Sequence, residues 1–428
     1  MSHVLRPRRR VVPPLGSHFL VSGHGVDGGG CLDSATVTTD LAIDLDKARR
    51  DTPGVDHVAH LNNAGGALRP SVVTDTVIAH VRREAEIGPY EAEAEAEERV
   101  AAVYDSVATL VGAHRDEIAL VQSATAAWNV AFSSIALRPG QRILTARTEY
   151  ISNAIGLLQA CERTGATLEV IEDDEHGQVD LDRLERRLDD DVALVALTHV
   201  PTGGGVVNPA GEVGALTRKA GVPFLLDACQ SVGQLDVDVE ELGCDLLAAT
   251  GRKFLRGPRG TGFLYASRGI VDRLVPPVLG LGAARWTSAT TYEVVPGALR
   301  FETWERSIAD NLGLGAAADY ALGIGLPAIE QRVTALAARL RDDLAQVPRV
   351  TVRDKGVRRS GIVTFTVEGR SADDVRAQVA TAGVNVSVTR VSSAQLDFGA
   401  RGLTEVVRAS PHYYTSDDEL DRLLAALR

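Results

Sequence analysis

"TGRKFLRGPRGTG", residues 250–262, places one lysine, three arginines and four glycines in thirteen positions. A nucleotide phosphate loop puts its lysine directly after the last glycine, whereas Lys253 precedes three of the four. A dinucleotide-binding turn opens a helix, but "GPRGTG" runs into "FLYAS", an apolar run that reads as a strand. Neither phosphate motif accounts for Lys253, so its surroundings must be read for another chemistry.

The chain has 428 residues, 45% of them hydrophobic, which is more than one core usually spans, and two domains are expected. A formal net charge of −12 argues against a nucleic-acid protein, since phosphate binding needs a basic field and only "RPRRR" at 6–10 is locally basic. No apolar run approaches the roughly 18–20 residues that span a bilayer, and the start lacks a signal-like apolar segment. A soluble, cytoplasmic protein with neither membrane nor nucleic-acid partner is expected. Cys31, Cys161, Cys229 and Cys244 are scattered without C-x-x-C spacing, so neither a disulfide framework nor a metal site is suggested.

Residues 1–40 mix Pro, Gly, Ser and Thr without periodicity and read as a flexible arm. "SVVTDTVIAHVRREAE" and "EAEAEAEERVAAVYDSVATLVG" have helical spacing and predict two helices around a break at Gly88 and Pro89. Then short apolar runs ("EIALVQS", "RILTAR", "TLEVIED", "VALVALTHV", "VPFLLDAC", "DLLAAT") alternate with helical stretches such as "ISNAIGLLQACERTG" and "PAGEVGALTRKAG". That alternation predicts an α/β fold with a mostly parallel sheet covered on both faces. The large domain is assigned to 41–305, and the helices and strands of 306–428 to a smaller α+β domain.

In open α/β sheets, ligands bind outside the carboxyl ends of the strands. "VPFLLD" ends in Asp227, followed by Gln230; "ALTHV" contains His199 and leads to "PTGGG"; "LLAAT" ends in Thr250, three residues before Lys253. Alone, Asp227 reads as a turn cap and Lys253 as a solvated side chain. Together, a strand-end carboxylate followed by Thr-x-x-Lys and a glycine-rich turn suits a phosphorylated aldehyde with an aromatic nitrogen.

These residues resemble the class V, fold-type I enzymes that use pyridoxal 5′-phosphate (PLP), a family that includes cysteine desulfurases and C–S lyases. The resemblance runs from "AHLNNAGGALRP" to "VVRASPHYYTSDDELDRLL", and its most specific stretch is "DACQSVGQLDVDVEELGCDLLAATGRKFLRGPRGTGFLYA". It implies a seven-stranded large-domain sheet, a homodimer and a small amino-acid-type substrate. By the same resemblance Lys253 forms the imine link to the cofactor and Asp227 pairs with its pyridinium nitrogen. Gln230 approaches the ring hydroxyl and Thr250 the phosphate. A lysine attacks an aldehyde only when burial or nearby positive charge lowers its pKa, and Arg252 and Arg256 are candidates for that charge.

"VQSATAAWNV" resembles the family's phosphate-binding turn, with the amides of Ala124 and Thr125 at a helix N-terminus, although an ordinary cap reads the same way. Tyr150 in "RTEYISN" stands where desulfurases place a histidine against the ring; an aromatic stacks there equally well but does not titrate near pH 7. Thr202 falls where desulfurases carry an asparagine, and His199 reads as either a site or a core residue. Arg408 in "EVVRASPHYYTS" matches the position that binds the substrate carboxylate, a task suited to a planar guanidinium. In "RFETWERS" the position from which relatives send a threonine to the neighbouring subunit's phosphate is Glu305.

Desulfurases carry a nucleophilic cysteine on a small-domain loop, and the matching "VSVTRVSSAQLDFGARGL" has none. They also place a histidine before the lysine, where this chain has Arg252. "GRKFLRGPRG", "REAEIGPYEAEAEA" and "VVRASPHYYTSDDEL" look more like the C–S lyase of ergothioneine biosynthesis and the isopenicillin N epimerase-like group. That likeness implies a PLP-dependent lyase acting on an S-substituted cysteine or cysteine sulfoxide by β-elimination. A PLP-dependent aminotransferase or epimerase is the alternative within the family, and a non-catalytic PLP-binding protein the alternative outside it.

Overall fold

The computed structural model describes residues 42–428 and the backbone of Arg8–Arg9, so the arm expected over 1–40 otherwise lies outside the described residues. Seven apolar runs form one sheet: β1 (Ile118–Val121), β2 (Arg142–Ala146), β3 (Thr167–Ile171), β4 (Val192–Thr198), β5 (Phe224–Asp227), β6 (Leu246–Thr250) and β7 (Gly262–Ala266). Their order is β1-β7-β6-β5-β4-β2-β3, and only β7 runs against the others. β5 and β6 read as unbroken apolar runs because every residue in them is buried. Successive residues face opposite layers. Leu144, Val195, Phe224 and Leu247 enter one core, and Ile143, Leu194, Leu225 and Leu246 enter the other.

A third core, that of the small domain, lies under an antiparallel sheet of β8 (Val350–Val352), β9 (Val363–Val367), β10 (Ser387–Arg390) and β11 (Glu405–Ala409), in the order β8-β9-β11-β10. Ala59 and Leu61, which precede β1 in the chain, pack in this third core, and Ala59–His60 pairs with Val384–Asn385.

The boundary expected at 305/306 does not match the packing. Helix Ile308–Ile324 is apolar around most of its circumference, and Leu312, Leu314, Ala317 and Ala318 join the large-domain core. The change of core falls inside the next helix, Leu326–Ala345. Its Ile329 and Val333 face the large domain, and its Leu336, Leu340 and Leu344 the small one. No single helix among the described residues is long and apolar enough to cross a membrane; these two pass together by composition but bend by 81°. Gly88, at φ 102°, makes the expected helix break, and a second irregularity at Ala96 separates Pro89–Glu95 from Glu97–Leu110.

One buried ion pair ties the domains together beside the site. Arg341 Nε donates to Asp354 Oδ2 at 2.7 Å, and its Nη2 donates to the carbonyls of Ser360 and Ile362. Asp354 Oδ1 accepts from Thr364 and from the amide of Gly205, in the loop that follows β4. A Cβ on Gly205 would lie 2.4 Å from Arg341 Nη2, so only glycine fits against the pair. Arg341→Ala strands a buried carboxylate and is expected to cost about 3–5 kcal/mol in urea unfolding. A loss below about 1 kcal/mol would mean that the pair is solvated and does not join the domains.

Candidate active site

The carboxyl ends of β2, β4, β5 and β6 open into one cavity, lined among others by Tyr150, Thr198, Thr202, Asp227, Gln230, Thr250, Arg252 and Lys253. Pairing of β5 with β6 sets Asp227 beside Ala248, and the chain leaving β6 brings Lys253 back over it. Lys253 is only 6% exposed, and its Nζ stands 5.9 Å from the centre of the Tyr150 ring. Burial holds its pKa below the ordinary lysine range. Arg252 and Arg408 push the same way, while Cys229 and Asp227 oppose them.

At the end of β1 the chain turns into helix Ala124–Ser133. Ser123 caps it by accepting from the Ala126 amide at 3.1 Å, and the Ser123 carbonyl takes the Ala127 amide. The amides of Ala124 and Thr125 find no protein acceptor among the described residues, and both residues line the cavity. Gly262 makes this possible, because a Cβ there would lie 2.7 Å from the Ser123 carbonyl carbon and 2.8 Å from the Ala124 nitrogen. The Thr250 hydroxyl, opposite this turn in the cavity wall, donates to the Thr261 carbonyl.

The turn "NNAGG" carries three further side chains. Gln230 Nε2 donates to the Ala64 carbonyl at 3.1 Å and to Thr202 Oγ1 at 3.2 Å. Arg252 donates to the Gly65 carbonyl. Arg408 reaches Asn62 Oδ1 and the Thr202 carbonyl, at 3.2 and 3.3 Å. Among the described residues no carboxylate pairs with Arg408, which is 4% exposed, and burial lowers its pKa to about 10 with a contribution from Arg252. Arg408 Nε and Gln230 Oε1 are buried without a partner, each a cost of about 1–3 kcal/mol unless a ligand meets it.

Lys253, Asp227, Gln230, Thr250, Arg252, Ala124, Thr125, Tyr150 and Thr202 thus line one cavity, and Arg408 is joined to it through Thr202 and Asn62. Arg256, a sequence candidate for positive charge near Lys253, is turned away. It donates to the Leu68 carbonyl, Tyr413 and Thr52, and its guanidinium lies 4.4 Å from the centre of the Tyr414 ring. Arg408 takes its electrostatic place. His199 is a core residue, fully buried, with its pKa pushed down to about 3 by burial. Glu305 lines a separate groove on the outer face, where its neighbour Thr303 accepts from Gln122.

Three contributors were not legible as site residues. Cys229 lines the cavity, its amide donating to Asp227 Oδ1 and its thiol pKa raised to about 12 by burial and by Asp227. Glu149 and Asn153 stand behind Asp227, with Asn153 Nδ2 donating to Asp227 Oδ2 at 2.8 Å. A glutamate before the candidate Tyr150 and an asparagine four residues later were the only available signal.

Residues 59–423 match the model of the aminotransferase class-V family, and the chain belongs to that family. It is 32% identical over 400 residues to a probable cysteine desulfurase of Xylella fastidiosa, covering 90% of this chain and 95% of that protein. The fold matches an apo cysteine desulfurase from Thermococcus onnurineus with a TM-score of 0.83 and 27% identity, covering 90% and 97% of the two chains. It also matches a cystine C–S lyase in complex with its product cysteine persulfide, with a TM-score of 0.79 and 22% identity over 88% and 98%.

The cofactor of the family is PLP, which a solved structure of similar fold carries with glycine covalently linked to it, and the cavity suits it. Two free helix-terminal amides beside a guanidinium suit a phosphate. A buried carboxylate suits a ring nitrogen that carries a proton, a buried amine suits an aldehyde, and the unpartnered Gln230 oxygen awaits a donor.

Only the neutral amine attacks an aldehyde, so the rate at which apoenzyme takes up PLP, followed by absorbance, should fall tenfold per pH unit below the pKa of Lys253. That break is expected below the ordinary lysine range. Arg252→Ala removes a repelling cation and should move it upward. A wild-type break at about 10.4 would contradict a depressed amine.

Proposed function

We propose that this class-V family member is a PLP-dependent C–S lyase that cleaves the Cβ–S bond of an S-substituted cysteine or cysteine sulfoxide by β-elimination, without a protein persulfide. The observation that carries this reading is the small-domain segment at the cavity mouth. Ser393, Ala394 and Asp397 pack there against Tyr150 and Pro201–Gly203, and no thiol is among them. The named relatives act on cysteine or cystine sulfur, which supports cleavage at that bond.

When bound, PLP supplies an electron sink conjugated to the substrate α-carbon. Arg408, buried and unpaired, takes the substrate carboxylate and fixes which Cα bond faces the ring. Asp227 would keep a proton on the ring nitrogen and Tyr150 would stack on the ring. Ala124, Thr125, Thr250 and Arg252 would hold the phosphate, and Gln230 and Thr202 the ring hydroxyl. The Lys253 amine, neutral through burial, removes the α-proton. The Cβ–S bond then breaks with its electron pair leaving on sulfur, and water converts the remaining three-carbon unit to pyruvate and ammonia. A thiolate or sulfenate is a stabilised anion, so no attacking cysteine is required.

A second reading, a desulfurase that passes sulfur to Cys229, is favoured by the thiol in the cavity wall. Against it, burial and Asp227 keep that thiol protonated, and the thiolate is the nucleophile. The chain is also proposed to be a homodimer. Val100, Tyr104 and Ile308 line a groove of about 780 Å³ that also includes the exposed Tyr90 and Trp304. A second copy related by a two-fold axis is the commonest way to cover such a face.

With a panel of S-substituted cysteines and their sulfoxides, pyruvate and ammonia should form in equal amounts. Changing Cys31, Cys161, Cys229 and Cys244 to serine should leave turnover within about fivefold, while Lys253→Ala should lower it by about 10³-fold or more. Loss of activity in a folded cysteine-free protein that still binds PLP, or a persulfide trapped on Cys229, would establish the desulfurase instead. Light scattering should give twice the chain mass; a fully active monomer would remove the dimer.

A further inference from the structure

The carboxylate at the end of β5 does not act alone. Asn153, in the first turn of helix Ile151–Thr164, uses one amide nitrogen for two carboxylates, donating to Asp227 Oδ2 at 2.8 Å and to Glu149 Oε1 at 2.9 Å. Glu149 Oε1 also accepts from the Tyr150 amide at 2.7 Å and the Thr198 hydroxyl at 2.6 Å, and its Oε2 from Thr145 at 2.8 Å. Glu149, Asn153 and Asp227 are all buried. No lysine, arginine or histidine pairs with either carboxylate among the described residues. Two buried carboxylates thus share one neutral amide, and of the two only Asp227 lines the cavity.

Such an arrangement is unfavourable, since neither carboxylate has a salt-bridge partner among the described residues and the amine nearest Asp227, Lys253, has a lowered pKa. Burial first, with Asp227 adding to it, holds the Glu149 carboxyl above the usual carboxylate range, opposed by the Thr198 and Asn153 hydrogen bonds. A cation placed against Asp227 would relieve both charges at once. The amide also fixes Asp227, because one carboxylate oxygen is held by Asn153 and the other by the Cys229 amide.

We propose that Glu149 and Asn153 are positioning residues that form a hydrogen-bonded chain with Asp227, locking its rotamer and adding a second negative charge behind it, so that a protonated pyridine nitrogen is held more firmly than by Asp227 alone. This rests on the assignment of Asp227 to the ring nitrogen made above. The inner carboxylate contacts the ring, and the outer one acts through Asn153. The same loop then sets both the ring's stacking partner, Tyr150, and the basicity of its nitrogen.

The test uses holoenzyme reconstituted with PLP carrying ¹⁵N in the ring, with the nitrogen's protonation followed by NMR against pH. Glu149→Gln should lower the pH at which the ring proton is lost by about one unit, a tenfold easier loss. It should also weaken PLP binding to the apoenzyme without lowering the apoenzyme's thermal midpoint. Asn153→Ser, whose hydroxyl can donate to only one carboxylate, should shift the titration in the same direction, and it serves if Glu149→Gln does not fold. Asp227→Asn should remove the proton throughout the neutral range. If Asp227→Asn does so while the Glu149 and Asn153 variants titrate like wild type, the chain has no electrostatic role and the Asp227 assignment stands. If Asp227→Asn leaves the ring protonated, the Asp227 assignment itself is wrong. A lower apoenzyme midpoint with an unchanged nitrogen titration would make Glu149 and Asn153 purely structural.

Discussion

Lys253, Arg408, Asp227 and Glu149 are buried at one end of the large sheet, and none of them forms an ion pair with another among the described residues. That is the constraint on which the site depends. Buried charge normally pairs off or neutralises, and each of these groups is instead held by neutral donors and acceptors: amides, hydroxyls and carbonyls. The protein therefore carries separated buried charges of both signs around one cavity. A ligand with a ring cation, an aldehyde on the opposite side of the ring and a phosphate beside the aldehyde would have the complementary distribution. The same burial that keeps these charges unpaired lowers the basicity of Lys253.

Keeping those charges apart takes both domains. The "NNAGG" turn receives Gln230 on the Ala64 carbonyl, Arg252 on the Gly65 carbonyl and Arg408 on Asn62, so a single irregular segment spaces two guanidiniums. That segment leaves the small-domain core at Leu61 and is joined to β11 by a bridge between Asn62 and Ser410. On the other side, Asp354 holds the Gly205 amide, while Arg341 ties Asp354 to Ser360 and Ile362. A shift of the small domain therefore moves Arg408 and the 202–205 loop together. The placement of Arg408 and the packing of the two domains are therefore coupled, and the buried Arg341–Asp354 pair lies on that connection.

The fold was legible because β5 and β6 are short, apolar and followed by polar residues, and strand ends in α/β sheets face ligands. Asp227, Thr250, Lys253 and the Ala124–Thr125 turn could be found that way. What stayed hidden depends on partners distant in sequence. Arg256 looks like a second cation beside Lys253, but Tyr413 and Tyr414, over 150 residues later, draw it into an aromatic cluster. Asn153 lies in a helix where a polar residue reads as solvent-facing, and only the packing of that helix against helix Ala124–Ser133 and β3, with the Asn153 bond to Asp227, turns it inward. Helix Ile308–Ile324 follows the last strand of the large sheet and so reads as the start of a new domain. Its apolar circumference says that it is buried, not in which core.

The position of Cys229 sharpens the question of how sulfur leaves. A thiol in the cavity wall looks like an acceptor, but acceptance requires a thiolate, and the same carboxylate that suits a ring cation disfavours a second anion two residues away. Strengthening the hold on a pyridinium therefore weakens Cys229 as a nucleophile. The segment across the mouth offers Ser393 and Asp397, and Asp397 is already paired with Arg401. A protonated Cys229 and a mouth segment without a thiol among the described residues are both compatible with the proposed departure of sulfur on its own electron pair. The electrostatics that would favour a ring cation at Asp227 thus disfavour a thiolate at Cys229, which accords with the proposed elimination.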